Sequence, residues 1–562
     1  MTPKRDPLQT GKKDLIFVPL GGAGEIGMNL NLLGHAGKWL MLDLGVTFGD
    51  DQTPGVDVIM PDPQFIAARK DDLVALVLTH AHEDHIGAVP YLWSRLKCPI
   101  FATPFTASVV RRKLKEVGLE DKAKITEVEP SSKFRIGPFA IELITLTHSI
   151  PEPNAVVIRT EAGTVLHTGD WKFDPEPLVG PVADYEALRR VGEEGILALI
   201  GDSTNVFREG TSGSEAQVRE SLIDLVGKYD QRVAIGCFAS NVARLETIAA
   251  VAQATGRQAA LVGRSLWRIY DAARENGYLT EIPRFLDDEE IAHLPRDKVL
   301  IAATGSQGEP NAALTKIAYG NHPHIALEAG DVAIFSSRII PGNERPIGRL
   351  HNAFFRLGVE VVSEKDHFVH VSGHPARDEL IRMYQLTQPR IAVPVHGEAR
   401  HLGAHVELAA QCQVPEQIEV LNGEVVRLAP GRAGIVDTVP SGRLAIDGEV
   451  LVPIDGPTLQ ERKRLMWNGM AVATVVVDPE GALAAPPQIT LQGIADDPMV
   501  EDLRGALAEA IEDALADLPR PRRTDDEEVR ETARRAVRRA LRDLRGKRPP
   551  TEIHVVRVGL KR

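Results

Sequence analysis

Cysteine is scarce. Cys98, Cys237 and Cys412 are the only three in 562 residues, far apart and odd in number. That excludes a disulfide-stapled scaffold and suits a reducing compartment. Long apolar runs are missing too: no stretch reaches the ~18 residues that read as a membrane span. The first 14 residues are charged, and no apolar run follows their basic residues. A secretory signal is therefore not expected; a cytoplasmic location with no membrane partner is. The glycine-rich segment 21–27 lacks the Lys-Ser/Thr ending of a phosphate-cradling loop, which excludes nucleotide binding there.

There is ample material for a core. Hydrophobic residues make up 43% and charged residues 25%, in a length that suggests about three folded units. The net charge of −13 argues against a nucleic-acid partner at first sight. Its distribution matters more. From Pro519 onward there are 15 Lys/Arg against 7 Asp/Glu, so the acidity lies in the earlier chain. Carboxylates that hold a metal no longer repel phosphate once the ion is bound.

Short apolar strands punctuate the first 200 residues, at 15–19, 39–44, 73–79, 140–146, 155–159, 164–168 and 196–200, with helices at 105–117 and 184–190. From about Ser214 the rhythm becomes strand-helix alternation, the pattern of a parallel sheet, and it continues to about residue 370. A Gly/Pro-rich stretch near 430–457 reads as a linker. Beyond it come strands at 471–477 and 488–492, helices at 498–518 and 525–545, and a strand at 552–558. On the second helix Val529, Ala533, Val537, Ala540, Leu541 and Leu544 form one apolar stripe, with Arg on the other face.

The strongest signal follows the apolar strand at 73–79: His80, His82, Asp84 and His85, an H-x-H-x-D-H run. Alternate residues at a strand end face one side, so His80 and His82 can share a point while Asp84 and His85 aim at another. Imidazole and carboxylate are ligands for Zn²⁺ or Mn²⁺. Three crowded imidazoles would repel one another if protonated, which favours a cation among them. His148, Asp170 and His396 each end an apolar strand and could complete two metal sites, and Asp43 could orient a ligand histidine from behind. Asp50 and Asp51 could hold a structural Ca²⁺ with other oxygens.

These residues resemble the metallo-β-lactamase fold in its di-zinc hydrolase form, an α/β class with an αβ/βα sandwich. The resemblance implies one Zn²⁺ on His80, His82 and His148, a second on Asp84, His85 and His396, and Asp170 bridging, with Mn²⁺ as a substitute. Over 200 residues separate Asp170 from His396. That insertion is similar to the β-CASP nucleases, whose motifs match Asp202 in Gly-Asp-Ser-Thr-Asn, His374 in His-Val-Ser-Gly-His, and His396 in Val-His-Gly-Glu. Within them the chain resembles the bacterial ribonuclease J family, through the run from Pro19 to Asn29, Phe-Ala-Ser-Asn at 238–241, Thr-Gly-Ser-Gln-Gly-Glu-Pro at 304–310 and Pro-Gly-Asn-Glu at 341–344. The expected domains are a metallo-β-lactamase part at 1–213, the β-CASP insertion at 214–370, a second metallo-β-lactamase part at 371–435, a linker at 436–457 and a small α/β C-terminal domain at 458–562.

The resemblance implies a ribonuclease in which a hydroxide shared by two metals attacks phosphorus in line. Asp84 serves both as ligand and in catalysis, and His374, oriented by Asp202, donates the proton to the leaving oxygen. His370, Val371, Ser372, Gly373 and His374, with Ser240 and Asn241, are expected substrate contacts. Implied activities are 5′-to-3′ exonuclease on 5′-monophosphorylated RNA and endonuclease at single-stranded sites, in RNA maturation and decay. Implied partners are single-stranded RNA, a second or further copies in a homodimer or homotetramer, and RNA-degradation complexes. Alternatives are a β-CASP nuclease of DNA repair or 3′-end processing, or a non-nucleolytic hydrolase on the same scaffold.

Overall fold

The computed structural model describes residues 8–50, 52–496 and 499–559. The chain divides into two units. The larger runs to Phe48 and resumes over Val58–Leu444; the smaller takes Gly49–Asp57 and the chain from Ala445.

In the larger unit an eight-stranded sheet runs in the order Gly434–Thr438, Glu424–Ala429, Leu15–Gly21, Leu30–His35, Lys38–Leu42, Leu73–Val77, Ile100–Ala102, Ile125–Glu127. A seven-stranded sheet runs Lys133–Ile136, Phe139–Thr145, Asn154–Thr160, Gly163–His167, Ala198–Asp202, Ile391–Val395, Glu416–Gln417. Their inner faces share one core: Leu33, Leu40 and Val77 of the first sheet cluster with Ile141, Val156, Val165 and Val393 of the second. Burying each such side chain is worth about 1.5–3 kcal/mol. Leu188, Leu380, Met383 and Leu408, on helices, cover the outer face of the second sheet against Leu166, Leu199 and Ala392. The result is the expected αβ/βα sandwich.

The insertion has its own parallel five-stranded sheet, Gln258–Val262, Val299–Ala303, Val233–Gly236, Val332–Phe335, Glu360–Val362. It leaves the sandwich after Asp202 and returns on the neighbouring parallel strand, where Asp202 pairs with Val395. Asp202 and His396 therefore sit at one sheet end. Likewise Leu42 pairs with Val77 in parallel, so Asp43 and the 79–85 loop leave their sheet side by side. Carboxyl ends of parallel strands are where α/β sheets gather functional loops.

Several expectations shift. The strand read at 39–44 stops at Leu42, because Asp43 adopts a left-handed conformation with φ 61°. Two short helices, Glu83–Ile86 and Val89–Leu96, follow the first strand-end histidines. The stretch read as a linker carries the strands Arg443–Asp447 and Val450–Pro453, with Gly448 at positive φ between them. Its glycines and prolines mark turns between short strands. Helix Pro457–Asn468 follows, where no element was expected.

In the smaller unit Met470–Val477 pairs with Gln488–Gln492 and Thr551–Arg557, and its alternate residues are buried. Helices Met499–Asp517 and Asp526–Arg545 pack on that face through Leu507, Ile511, Val529, Ala533, Val537 and Leu541. The stripe stops short of the expectation: Leu544, in the last turn, is exposed. Among the described residues no helix is long and apolar enough to cross a membrane.

Candidate metal centre and catalytic site

The loop after Leu73–Val77 delivers four expected ligands to two neighbouring points. Gly45 makes room for it, since a Cβ there would stand 1.7 Å from Asp84 O. His80 Nε2 lies 3.1 Å from His82 Nδ1, which lies 3.0 Å from His148 Nε2. Tetrahedral ligands about 2.0–2.1 Å from a Zn²⁺ stand about 3.3 Å apart, so the spacing fits a shared cation. Asp170 joins this set, with Oδ2 3.9 Å from His80 Nε2.

A second set shares Asp170. Its Oδ2 lies 3.1 Å from His85 Nε2 and 3.6 Å from His396 Nε2, and Asp84 Oδ2 is 3.6 Å from both rings. His396 Nε2 is buried and has no hydrogen-bond partner, a cost that a cation would remove. The seven expected ligands thus form two overlapping groups, each able to hold an ion.

The outer ring nitrogens follow one pattern. His85 Nδ1 donates to Asp43 Oδ2 at 2.7 Å. Thr79 Oγ1 donates to the same Asp43 oxygen at 2.9 Å, so it accepts from His80 Nδ1 at 3.0 Å. His148 Nδ1 donates to Gly373 O, and His396 Nδ1 to Asn29 Oδ1 at 3.0 Å. Each bond turns Nε2 inward, where its lone pair can serve a metal. On His85 a cation must first displace a proton, because burial is outweighed by Asp170, Asp84 and Asp43, which raise its pKa well above the ordinary imidazole range. Burial pushes His80 and His148 well below the ordinary imidazole range and His82 down to about 4. Burial opposes a charge on Asp170, yet His396, His85 and His374 hold its carboxyl well below the usual range.

His374 stands at the edge of this cluster. Its Nδ1 donates to Asp202 Oδ2 at 2.8 Å and lies 3.8 Å from Asp170 Oδ2. Asp202 is itself fixed by Thr204, whose N and Oγ1 donate to Oδ1 at 2.8 and 2.6 Å. Burial lowers the His374 pKa, but Asp202 and Asp170 together raise it to about 9; bound cations would draw it back down.

The segment 370–374 is set close to the ligands. A Cβ on Gly373 would stand 2.5 Å from His148 Cε1, so only glycine fits. Ser372 Oγ accepts from Asn205 Nδ2 at 2.7 Å. Val371 is buried. His370 Nδ1 is buried without a partner; burial, then Arg244, Lys172, Arg338 and Arg208, keep its ring neutral. Asn241 Oδ1 caps helix Val242–Ala254 by accepting from Arg244 N at 2.9 Å. It is buried, whereas Ser240 beside it is half-buried. Arg244 donates on to Val369 O at 3.0 Å, which sets this helix start beside residue 370. Asp50 closes a turn, accepting from Gln52 N at 2.9 Å, and Asp51 lies outside the described residues. Among the described residues every potential metal cluster belongs to the site above. Sequence reasoning assigned no role to Thr79, Asn29 or Asn205. Asn29 ends the quoted run from Pro19, but nothing local marks its distant partner.

The fold and this site define a metallohydrolase of the metallo-β-lactamase superfamily that carries a β-CASP insertion. Family models match at residues 27–228 (metallo-beta-lactamase superfamily), 230–354 (ribonuclease J, beta-CASP domain), 358–420 (Zn-dependent metallo-hydrolase RNA specificity domain) and 457–558 (ribonuclease J C-terminal domain). Ribonuclease J of Sinorhizobium meliloti is 43% identical over 551 residues, 97% of this chain and 98% of its own. Ribonuclease J of Mycolicibacterium smegmatis is 39% identical, covering 98% of each chain, and that of Thermus thermophilus 37%, covering 83% of each. A crystal structure of a protein of unknown function from Enterococcus faecalis V583 matches the fold with TM-score 0.51 at 14% identity, covering 74% of this chain and all of that one. The chain belongs to the ribonuclease J family and is a metal-dependent β-CASP nuclease.

Proposed function

We propose that this nuclease acts on single-stranded RNA in the cytoplasm, as a 5′-to-3′ exonuclease that prefers 5′-monophosphate ends and as an endonuclease, in RNA maturation and decay. The observation that carries the chemistry is the convergence of ring nitrogens 3.0–3.1 Å apart, with the outer nitrogens of His80, His85, His148 and His396 each tied to an acceptor. His80, His82, His148 and Asp170 would hold one Zn²⁺, and Asp84, His85, His396 and Asp170 the other; Mn²⁺ suits the same donors. When bound, such a pair supplies Lewis acidity toward a phosphate oxygen and lowers the pKa of water.

The chain's own groups do the rest. Asp202 takes the His374 Nδ1 proton as a hydrogen bond, so Nε2 carries the proton given to the leaving 3′ oxygen. Ser372 and the backbone of 370–374 offer donors to a phosphate, beside the positive field of Arg244, Lys172, Arg338 and Arg208. Ser240 and Asn241 extend that contact set, Asn241 while its Oδ1 caps the following helix. The chain works as a homodimer or homotetramer, which light scattering measures directly.

The test is one RNA with 5′-monophosphate or 5′-triphosphate, labelled at either end, digested with zinc, manganese or chelator. Faster 5′ release from the monophosphate, abolished by chelator, is expected. Equal rates on both ends would remove the end preference, and turnover in chelator would remove the metal reading.

A further inference from the structure

Two chain segments join the insertion to the sandwich, one leaving after Asp202 and one returning before Ile391, and they run together. Asn205 Nδ2 donates to Ser372 Oγ at 2.7 Å and His374 O at 3.0 Å. Arg377 N donates to Arg208 O at 2.8 Å, and Asp378 N to Gly210 O at 3.1 Å. One buried carboxylate, Glu379, 3% exposed, closes this seam. Its Oε1 accepts from Phe173 N at 2.8 Å and Ser212 Oγ at 2.9 Å; its Oε2 accepts from Ser212 N and Ala376 N, both at 2.8 Å.

Only the Ala376 bond is ordinary helix capping. Glu379 is the third residue of helix Arg377–Thr387 and reaches back to the N–H before it. The other three donors come from the outgoing segment and from Phe173, three residues past Asp170. A single side chain thus ties together the segment bearing Asp170, the segment leaving Asp202, and the segment bearing His374. We infer that Glu379 is a positioning residue for cleavage: its four-donor clamp sets where His374 stands against Asp202 and Asp170. This rests on the reading of His374 as proton donor.

The clamp demands a carboxylate. Each oxygen already faces two donors, so a glutamine would turn its own N–H groups toward N–H or O–H donors on one side. Aspartate keeps the charge but is one methylene short. His374 sits five residues before Glu379, with contacts of 2.8 Å to Asp202 and 3.8 Å to Asp170. A displacement of about 1 Å at such a group costs up to about a hundredfold in rate.

The test uses the full zinc-loaded chain and two substrates. RNA releases a 3′ oxygen that needs a proton; thymidine 5′-monophosphate p-nitrophenyl ester releases p-nitrophenolate, which does not. His374→Ala calibrates the pair, with RNA turnover lost and ester turnover kept. Glu379→Gln should lower RNA turnover roughly 10–100-fold, leave ester turnover and bound zinc unchanged, and be partly relieved in Glu379→Asp. In the metal-free protein the same variant should speed amide exchange over 370–376 but not over the strand Leu73–Val77. Equal loss on both substrates, full RNA turnover, or unchanged exchange overturns the role of Glu379. If His374→Ala itself slows both substrates alike, the proton-donor reading fails first and takes this inference with it. Should Glu379→Gln not fold, Ser212→Ala removes one donor and keeps the carboxylate. It should slow RNA cleavage several-fold and spare the ester, and no effect overturns the proposal.

Discussion

The loop 79–85 and the helix Asp526–Arg545 both concentrate polar side chains, and they manage them in opposite ways. In the loop, His80 and His85 are buried, and each outer nitrogen has a fixed acceptor. On the helix, Arg535, Arg538 and Arg539 are exposed to water. Buried polar groups act through fixed geometry, because each unpaired one costs its full desolvation. Exposed charges act through number and are screened over a Debye length of about 8 Å. Substitution in the loop should therefore be severe and indifferent to salt; substitution on the helix should be mild and salt-dependent.

The largest effect expected is at His80. His80→Ala removes the ring nitrogen 3.1 Å from His82 Nδ1 and should lose zinc and on the order of a thousandfold in RNA turnover. Zinc per chain and digestion of labelled RNA read both. Full occupancy with normal turnover would end the contrast between the two regions.

A smaller loss is expected one bond further out. Asp43→Asn exchanges the acceptor of His85 Nδ1–H for an amide that can turn its N–H group to that proton, and Asn29→Ala deletes the acceptor of His396 Nδ1–H. Each should weaken zinc binding about 10–100-fold in chelator competition. Unchanged affinity would mean that the candidate ligand rings hold their orientation without these partners.

These outer residues show where the sequence stops being legible. Four candidate ligands lie within six positions after an apolar strand, so local spacing exposes them. His148, Asp170 and His396 each end a strand, which brought them within reach of the same reasoning. Individual strands were legible as apolar runs bounded by turn residues, but the sandwich they build came from the resemblance that the ligand motifs carry. Asn29 and His396 are 367 positions apart, and only the closed sandwich joins them. Glu379 drew no reading from the sequence, because three of its four donors are distant in the chain. Asn241 reads as a polar contact in a family motif, and the cap it gives its own helix was not foreseen. The 436–457 stretch does hold the division between the two units, after Leu444, but its glycines and prolines also mark turns between short strands that the sequence did not reveal.

Glu142 lies between the two regimes. It is a buried carboxylate whose partners reach the surface: Arg159 at 2.7 Å, Lys133 at 3.2 Å, and Arg190. Burial opposes its charge, but hydrogen bonds from Arg159, Arg190 and Lys133 outweigh it and hold the carboxyl below its ordinary value. The folded pKa is then lower than the unfolded one. Its contribution is complete above about pH 5 and fades as the pH falls through the folded value. Glu142→Gln should cost about 1–3 kcal/mol at pH 7 in urea unfolding, and the difference from the parent should shrink in acid. A difference that stays constant with pH would mean that the charge itself contributes nothing.

The smallest effect on stability is expected on the arginine helix. Its acidic first turn, Asp526, Glu527 and Glu528, and its basic last turn, Arg542 and Arg545, already suit the helix dipole. Arg530, Arg534 and Arg542 each pair with a carboxylate of the same helix. Arg535, Arg538 and Arg539 go beyond both needs. They sit three and four positions apart, exposed, while Val529, Ala533, Val537 and Leu541 are buried. Replacing all three by glutamine, itself a good helix former, should change unfolding free energy by less than about 0.5 kcal/mol. RNA affinity is the sharper measurement. If the three arginines meet phosphates, the slope of log affinity against log salt should fall by up to about 2, because each contact on a single strand contributes about 0.7. The parent and the variant should then converge as salt rises. An unchanged slope would assign the arginine face to solvation alone and leave the loop as the region of the pair that acts on RNA.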